Sequence, residues 1–203
     1  MFEVKTERQL REIIGFPNPM ASKKIYPFLN QRMLEFIGKS PLMMLSTIDQ
    51  QGFPIISPKG DKPGFVQIDK KGRLLIPELR GNKLAFSLTN ILKNPTVSLF
   101  FMVPGSLETL RIHGKCRLIS DELLCKKLAS NSHSALLVLE VSVENAYFHC
   151  AKALLRSQLW ESKTWPDPIK ISFGKEIAEN SGADDQFIKQ VDDAVASRYD
   201  NEL

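Results

Sequence analysis

Apolar and polar residues recur along this chain with two different periods. Near the start, Leu10, Ile13 and Ile14 fall at helical spacing and predict a short helix over residues 6–14. Phe16-Pro17-Asn18-Pro19 ends it, because proline cannot continue a helix and pushes its predecessor toward extended backbone. Phe28, Met33, Phe36 and Ile37 predict a second helix over 27–38, closed by Ser40-Pro41. From residue 42 onward the pattern becomes that of strands. Strands are predicted at 42–48 and 53–57 around Asp49-Gln50-Gln51-Gly52, and at 65–68 and 73–76 around Asp69-Lys70-Lys71-Gly72. Between these hairpins, Gly60-Asp61-Lys62-Pro63-Gly64 reads as a loop. A helix over 83–92 is stopped by Lys93-Asn94-Pro95. Strands at 96–103 and 109–119, a short helix at 121–129, a long strand at 135–148 and a helix at 151–160 follow. Residues 184–199 are amphipathic, with Phe187, Ile188, Val191 and Val195 on one helical face.

Six or seven strands, mostly in hairpins, with helices between and at both ends, predict a mainly β fold. The expectation is a β-barrel with flanking helices rather than a parallel sheet. No repeat, low-complexity stretch or linker interrupts the chain, so 1–203 reads as a single domain. Within it, 1–40 holds N-terminal helices, 41–150 the barrel and 151–203 the C-terminal helices. The run over 96–103 is apolar enough to be buried on both faces, and a second copy packed on the barrel would cover its outer side.

Composition narrows the classes. The chain is 43% hydrophobic, which supports a packed core and argues against disorder. Its 27 Lys and Arg are dispersed among 23 Asp and Glu, and the net charge of +4 is too mild for a nucleic-acid stripe. A smaller anion such as a phosphate ester remains open. Cys116, Cys125 and Cys150 are odd in number and lack short spacing, as expected of reduced thiols in a reducing compartment. Residues 1–10 carry Glu3, Lys5, Glu7 and Arg8 instead of a signal peptide's apolar stretch, and no run of about 18 apolar residues occurs. A cytoplasmic location without membrane association is expected.

The familiar catalytic motifs are missing: no Gly-x-Gly-x-x-Gly, no Walker A, no Gly-x-Ser-x-Gly. His113, His133 and His149 are too scattered for a zinc site. His149 and Cys150 are neighbours on a strand and point to opposite faces, which argues against a nucleophilic dyad. Three other segments carry candidate chemistry. Ser57-Pro58-Lys59-Gly60-Asp61 ends a strand at a Pro-Gly loop, where glycine admits a flat ligand to the backbone and Lys59 offers a positive charge; it also fits a plain surface turn. Arg80-Gly81-Asn82-Lys83 precedes a predicted helix, whose free N–H groups accept phosphate, with Ser87 one turn on; it also fits an ordinary Asn cap. On the predicted 151–160 helix, Lys152, Arg156 and Trp160 share a face suited to an anionic planar partner, or simply to a surface helix with an aromatic anchor.

In order, these segments resemble the pyridoxamine 5'-phosphate oxidase-like flavoproteins, in particular their uncharacterised bacterial FMN-dependent members. The likeness extends through Leu45-Ser46-Thr47, Pro63-Gly64-Phe65, Leu75-Ile76-Pro77, Asn90-Ile91-Leu92, Val103-Pro104-Gly105, Glu108-Thr109-Leu110-Arg111 and Phe148-His149-Cys150. The resemblance implies an FMN-binding split β-barrel acting as a homodimer, with FMN at the subunit interface. It places Ser57, Pro58, Lys59, Gly60 and Asp61 along the isoalloxazine ring and Ile76 and Pro77 beside it. Asn82, Lys83 and Ser87 would hold the phosphate, with Lys83 as the main cation and Arg80 assisting. Lys152, Arg156 and Trp160 would approach as substrate or second-subunit contacts. The chain lacks the arginine-rich end of the vitamin B6 oxidase, which weakens pyridoxamine phosphate as substrate. The implied function is an FMN-dependent oxidoreductase of small-molecule substrate, with no catalytic acid or base named by the sequence. Two alternatives stand beside it: a protein that stores FMN or a haem-type ligand without turnover, and an interaction module with no small ligand.

Overall fold

The computed structural model describes residues 3–131 and 133–201. Residues 1, 2, 132, 202 and 203, which the single-domain reading of 1–203 includes, lie outside the described residues. Strands β1 (Leu42–Ile48), β2 (Pro54–Gly60), β3 (Gln67–Ile68), β4 (Leu74–Glu78), β5 (Thr96–Met102), β6 (Thr109–Ile119) and β7 (Leu137–His149) form a single antiparallel sheet in the order β2-β1-β5-β6-β7-β4-β3. Helices α1 (Glu7–Ile14) and α2 (Gln31–Lys39) precede the sheet, and α3 (Phe86–Lys93) and α4 (Glu122–Lys127) lie within it in sequence. Helices α5 (Lys152–Ser157), α6 (Phe173–Ser181) and α7 (Asp185–Asn201) follow. The expected mainly β fold with flanking helices is the one observed, and the sheet is open rather than closed.

Local chemistry sets the turns. In the β1–β2 hairpin the Asp49 carboxylate accepts from the backbone of Gln51 and Phe53, and Gly52 supplies φ +89°. Asp69, Lys71, Arg73 and Gly72 (φ +75°) repeat this arrangement between β3 and β4. Both turns therefore rest on an Asp side chain plus one left-handed glycine. Burial acts to raise the Asp69 carboxyl, but its bonds from Arg73 and Lys71 win and hold it below the usual range.

Several features differ from the sequence expectation. Strand β2 continues through Gly60 instead of stopping at residue 57, so Pro58, Lys59 and Gly60 are strand as well. Its prolines are tolerated because β2 is an edge, where a missing N–H breaks no ladder. Helix α2 begins only after Asn30, whose side chain caps Met33, and Phe28 is left exposed. Strand β5 is buried on one face only: Val97, Leu99 and Phe101 point inward, while Ser98, Phe100 and Met102 are half-buried on the other. Helix α6 was not anticipated, because Gly174 disfavours a helix interior. The structure explains that glycine: a Cβ there would run into the backbone of Ile188 on α7. Ser172 and the Gly174 amide both donate to Asp192, tying the two helices together.

The core joins the inner faces of the strands to α2 and α3 through Met33, Ile37, Leu45, Leu74, Ile91, Leu99, Phe101, Leu110 and Ile112. Cys116 also lies in it; burial, with the nearby Glu140 charge, pushes its thiol up to about 12. Cys125 is buried as well, whereas Cys150 is exposed. A thiol reagent such as dithiobisnitrobenzoate is therefore expected to titrate a single cysteine rapidly in the native protein and all three after denaturation. Rapid native reaction of more than one thiol would contradict this packing. No helix among the described residues is long and apolar enough to cross a membrane.

Candidate functional site

The open sheet curls until its two ends meet. Strand β2 is first in the order and β4 is sixth, yet the Lys59 ammonium on β2 donates to the Glu78 carboxylate on β4 at 2.6 Å. The two side chains retain only 15% and 16% exposure. Alternation along β2 turns Ser57 and Lys59 toward the interior and Ile56 and Pro58 toward the outer face. A cleft of about 620 Å³ opens at this seam, within the usual range for small-molecule sites.

Nine residues singled out from sequence line the cleft: Ser57, Pro58, Lys59, Gly60, Asp61, Pro77, Arg80, Asn82 and Ser87. Two expected beside them do not. Ile76 is fully buried in the core, because adjacent strand residues face opposite ways and Pro77 takes the cleft side. Lys83 is absent from the lining; its backbone is left-handed at φ +63°. The helix expected at 83–92 starts only at Phe86, after a second left-handed residue, Ala85 at φ +53°. Non-glycine residues rarely adopt that conformation, so two so close together mark a strained, sharply turning segment.

That segment shapes one end of the cleft. Asn82 does not cap α3; its side-chain oxygen accepts from Leu84 N–H in a local turn. Ala85, the residue that does stand at the cap, provides no side-chain hydrogen bond. The first turn of α3 through Phe86, Ser87 and Leu88 therefore meets the cleft with its amides uncapped by any side chain. Arg80 is exposed on the same rim and forms no ion pair among the described residues.

The C-terminal candidates stand elsewhere. Lys152 and Arg156 are exposed on α5, one turn apart as expected, but neither lines the cleft. The helix ends at Ser157 and Gln158 turns left-handed, so Trp160 leaves their shared face. Its indole N–H instead donates to the Ser106 carbonyl at 2.8 Å, pinning this segment to the β5–β6 connection. His149 and Cys150 do not form a dyad: Cys150 lies beyond the strand end. Burial, then the Arg111 and Lys24 charges, lowers the His149 imidazole.

Sequence reasoning missed several lining residues, above all Glu78, Phe65, Phe86, Asn131 and His133. For Glu78 the one local signal was an acid ending the wholly apolar run Leu74 to Pro77. His133 and Asn131 reach the cleft from the loop before β7, more than 50 positions from β2, and Asn131 accepts from Lys62 at 3.2 Å. Among the described residues no group of three His, Cys, Asp or Glu is placed to hold a metal ion.

An antiparallel sheet curled until strands β2 and β4 meet, with a ligand-sized cleft at the seam, defines a split-barrel fold. The family profile described as pyridoxamine 5'-phosphate oxidase matches residues 29–150, and the chain belongs to that family. The matched span runs from just before α2 to the residue after β7, so it covers the whole sheet and the cleft. Solved structures with a similar fold include HupZ from Group A Streptococcus, at TM-score 0.50 and 20% identity over 61% of this chain and 96% of that one. General stress protein 26 from Bacillus anthracis aligns at TM-score 0.43 and 17% identity, over 56% and 88%. A related protein of the pyridoxinephosphate oxidase family from Clostridium acetobutylicum aligns at 0.45 and 14%, over 60% and 91%. No curated protein matches the chain in sequence.

Proposed function

We propose that the protein is an FMN-dependent oxidoreductase acting on a small-molecule substrate or electron donor. On this reading it is a single FMN-binding unit over 1–203, working in the cytoplasm. The observation that carries the proposal is the asymmetry of the cleft. One wall is an edge strand, whose outward N–H and C=O groups have no neighbouring strand. The other end holds the uncapped start of α3 and the unpaired Arg80. A flat heteroaromatic ring with a hydrogen-bonding edge suits the first, and a phosphate suits the second, since helix N-termini and arginine both favour phosphate. The donor set thus fits FMN.

Ser57, Pro58, Lys59, Gly60 and Asp61 would run along the ring, and Pro77 would restrict it from β4. Arg80, Ser87 and the first amides of α3 would hold the phosphate, and Asn82 would keep the strained turn in shape. When bound, FMN supplies the electron or hydride transfer. The protein's own contribution is to orient the ring against β2, to exclude water with Phe65 and Phe86, and to set the local charge.

The outer face supports reading the protein as a homodimer with FMN at the subunit interface. Pro58, Met44, Phe100, Arg111 and Tyr147 stand in one row across five strands. Pro58 lies at the cleft end of this row, and all but Pro58 are half-buried. A second copy packed here would border the cleft, and Lys152, Arg156 and Trp160, which do not line their own chain's cleft, would approach from it.

The test is spectroscopic. Purified protein is expected to carry, or to take up, FMN with the absorption bands of bound flavin, and NAD(P)H or another reductant is expected to bleach them. Protein that stays colourless and takes up no added FMN overturns the proposal. Flavin that binds but cycles with no reductant or acceptor leaves a binding protein in its place.

A further inference from the structure

We propose that Glu78 is a positioning residue which holds and neutralises Lys59, so that a flavin in the cleft meets a balanced ion pair instead of a free cation. This rests on the FMN reading above. Lys59 taken alone looks like a positive charge available to an electron-rich ring. The structure gives it a committed partner. Its ammonium donates to the Glu78 carboxylate at 2.6 Å, and both groups line the cleft with little solvent contact. Among the described residues neither takes part in any other ion pair.

The pair has two consequences. Geometrically, it joins β2 to β4 across the seam, and so fixes the spacing of the walls between which a planar ligand must fit. Electrostatically, it cancels the Lys59 charge in a part of the site with restricted water, where a single unmatched charge acts strongly. A lone lysine there would favour the electron-rich form of the cofactor. A lone glutamate would disfavour it. The pair places the protein between these limits, and Glu78→Gln changes its charge while keeping the size of the side chain.

The test is the midpoint potential of bound FMN in four proteins: wild type, Glu78→Gln, Lys59→Gln and the double variant. Local charge runs from zero in the wild type to positive in Glu78→Gln, negative in Lys59→Gln and zero again in the double variant. The potential is therefore expected to rise in the first variant, to fall in the second and to return close to the wild-type value in the third. Each single shift should reach about tenfold in the ratio of reduced to oxidised flavin at fixed potential, or ~30 mV for a two-electron couple. A loosened cleft would weaken FMN binding in both single variants without opposite signs. If Lys59→Gln binds FMN too weakly to titrate, the sign of the Glu78→Gln shift decides alone. FMN bound by all four proteins at one potential, or shifts of equal sign, overturns the role of Glu78 and leaves the cofactor reading intact. Failure of the wild type to bind FMN overturns both.

Discussion

Arg80→Ala is expected to weaken FMN binding by about tenfold to a hundredfold while leaving riboflavin affinity nearly unchanged, because a hydrogen bond to a charged group contributes roughly 1.5–3 kcal/mol. The difference between the two ligands is only the phosphate, so the ratio of the two losses reports directly on the phosphate end of the cleft. Lys83→Ala is the matched control. The sequence favours Lys83 as the phosphate cation, since it sits next to Gly81-Asn82 and ahead of a predicted helix. The structure moves the helix start to Phe86 and leaves Lys83 off the cleft wall, while Arg80 stays on it. Lys83→Ala should therefore cost FMN less than about threefold. Titration of flavin fluorescence with both ligands measures all of these values. Equal losses for FMN and riboflavin in Arg80→Ala, or a larger phosphate-specific loss in Lys83→Ala, would return the role to Lys83 or remove it from this turn altogether.

Glu140→Ala is expected to destabilise the fold by about 2–4 kcal/mol, a little below the ~3–5 kcal/mol for removing one partner of a fully buried pair, because the Arg73 side chain keeps 26% exposure. Glu140 lies on β7 with its side chain 9% exposed, and its carboxylate accepts from Arg73 at 2.8 Å and from Arg117 at 2.5 Å. Arg73 also bridges to Asp69 at 2.5 Å, so the cluster ties the β3–β4 turn to the adjacent strands β7 and β6. Removing Glu140 leaves Arg73 partly desolvated with a single partner. For a chain of this length the melting temperature should fall by about 4–16 °C. Arg117→Ala should cost under about 1 kcal/mol, because its side chain is 67% exposed and water replaces the lost bond. Melting curves followed by circular dichroism compare the two. Equal shifts for both variants would show that the cluster acts as an ordinary surface pair.

Much of this protein was legible before folding, wherever the cause was local. The Asp-x-x-Gly turns were readable because both the side-chain acceptor and the left-handed residue lie within four positions. Apolar, β-rich runs bounded by turn residues gave β1, β5 and β6 nearly to the residue. The order of the Ser57 to Asp61, Arg80 to Lys83 and His149 to Trp160 segments, with the shorter matches around them, was enough to identify the family, and nine of the residues singled out line the cleft while Ile76, Lys83, Lys152, Arg156 and Trp160 do not. Misreadings arose where a boundary or a partner depended on distant chain. Strand β2 ran on past its prolines because it became an edge, and α6 kept a glycine because α7 lies against it.

The sequence by itself determined the kind of protein this is: the strand pattern, the glycines and the family motifs act over short stretches and do not depend on the rest of the chain. Only the tertiary structure decided which charges are free. Lys59 and Glu78 are 19 positions apart and sit on the first and sixth strands of the sheet, and they meet because the sheet curls. Lys83 leaves the cleft and Arg80 keeps its place on it because two left-handed residues redirect the backbone before α3. Charge pairing depends on distances of a few ångströms, and those distances are fixed by how whole elements pack rather than by spacing along the chain.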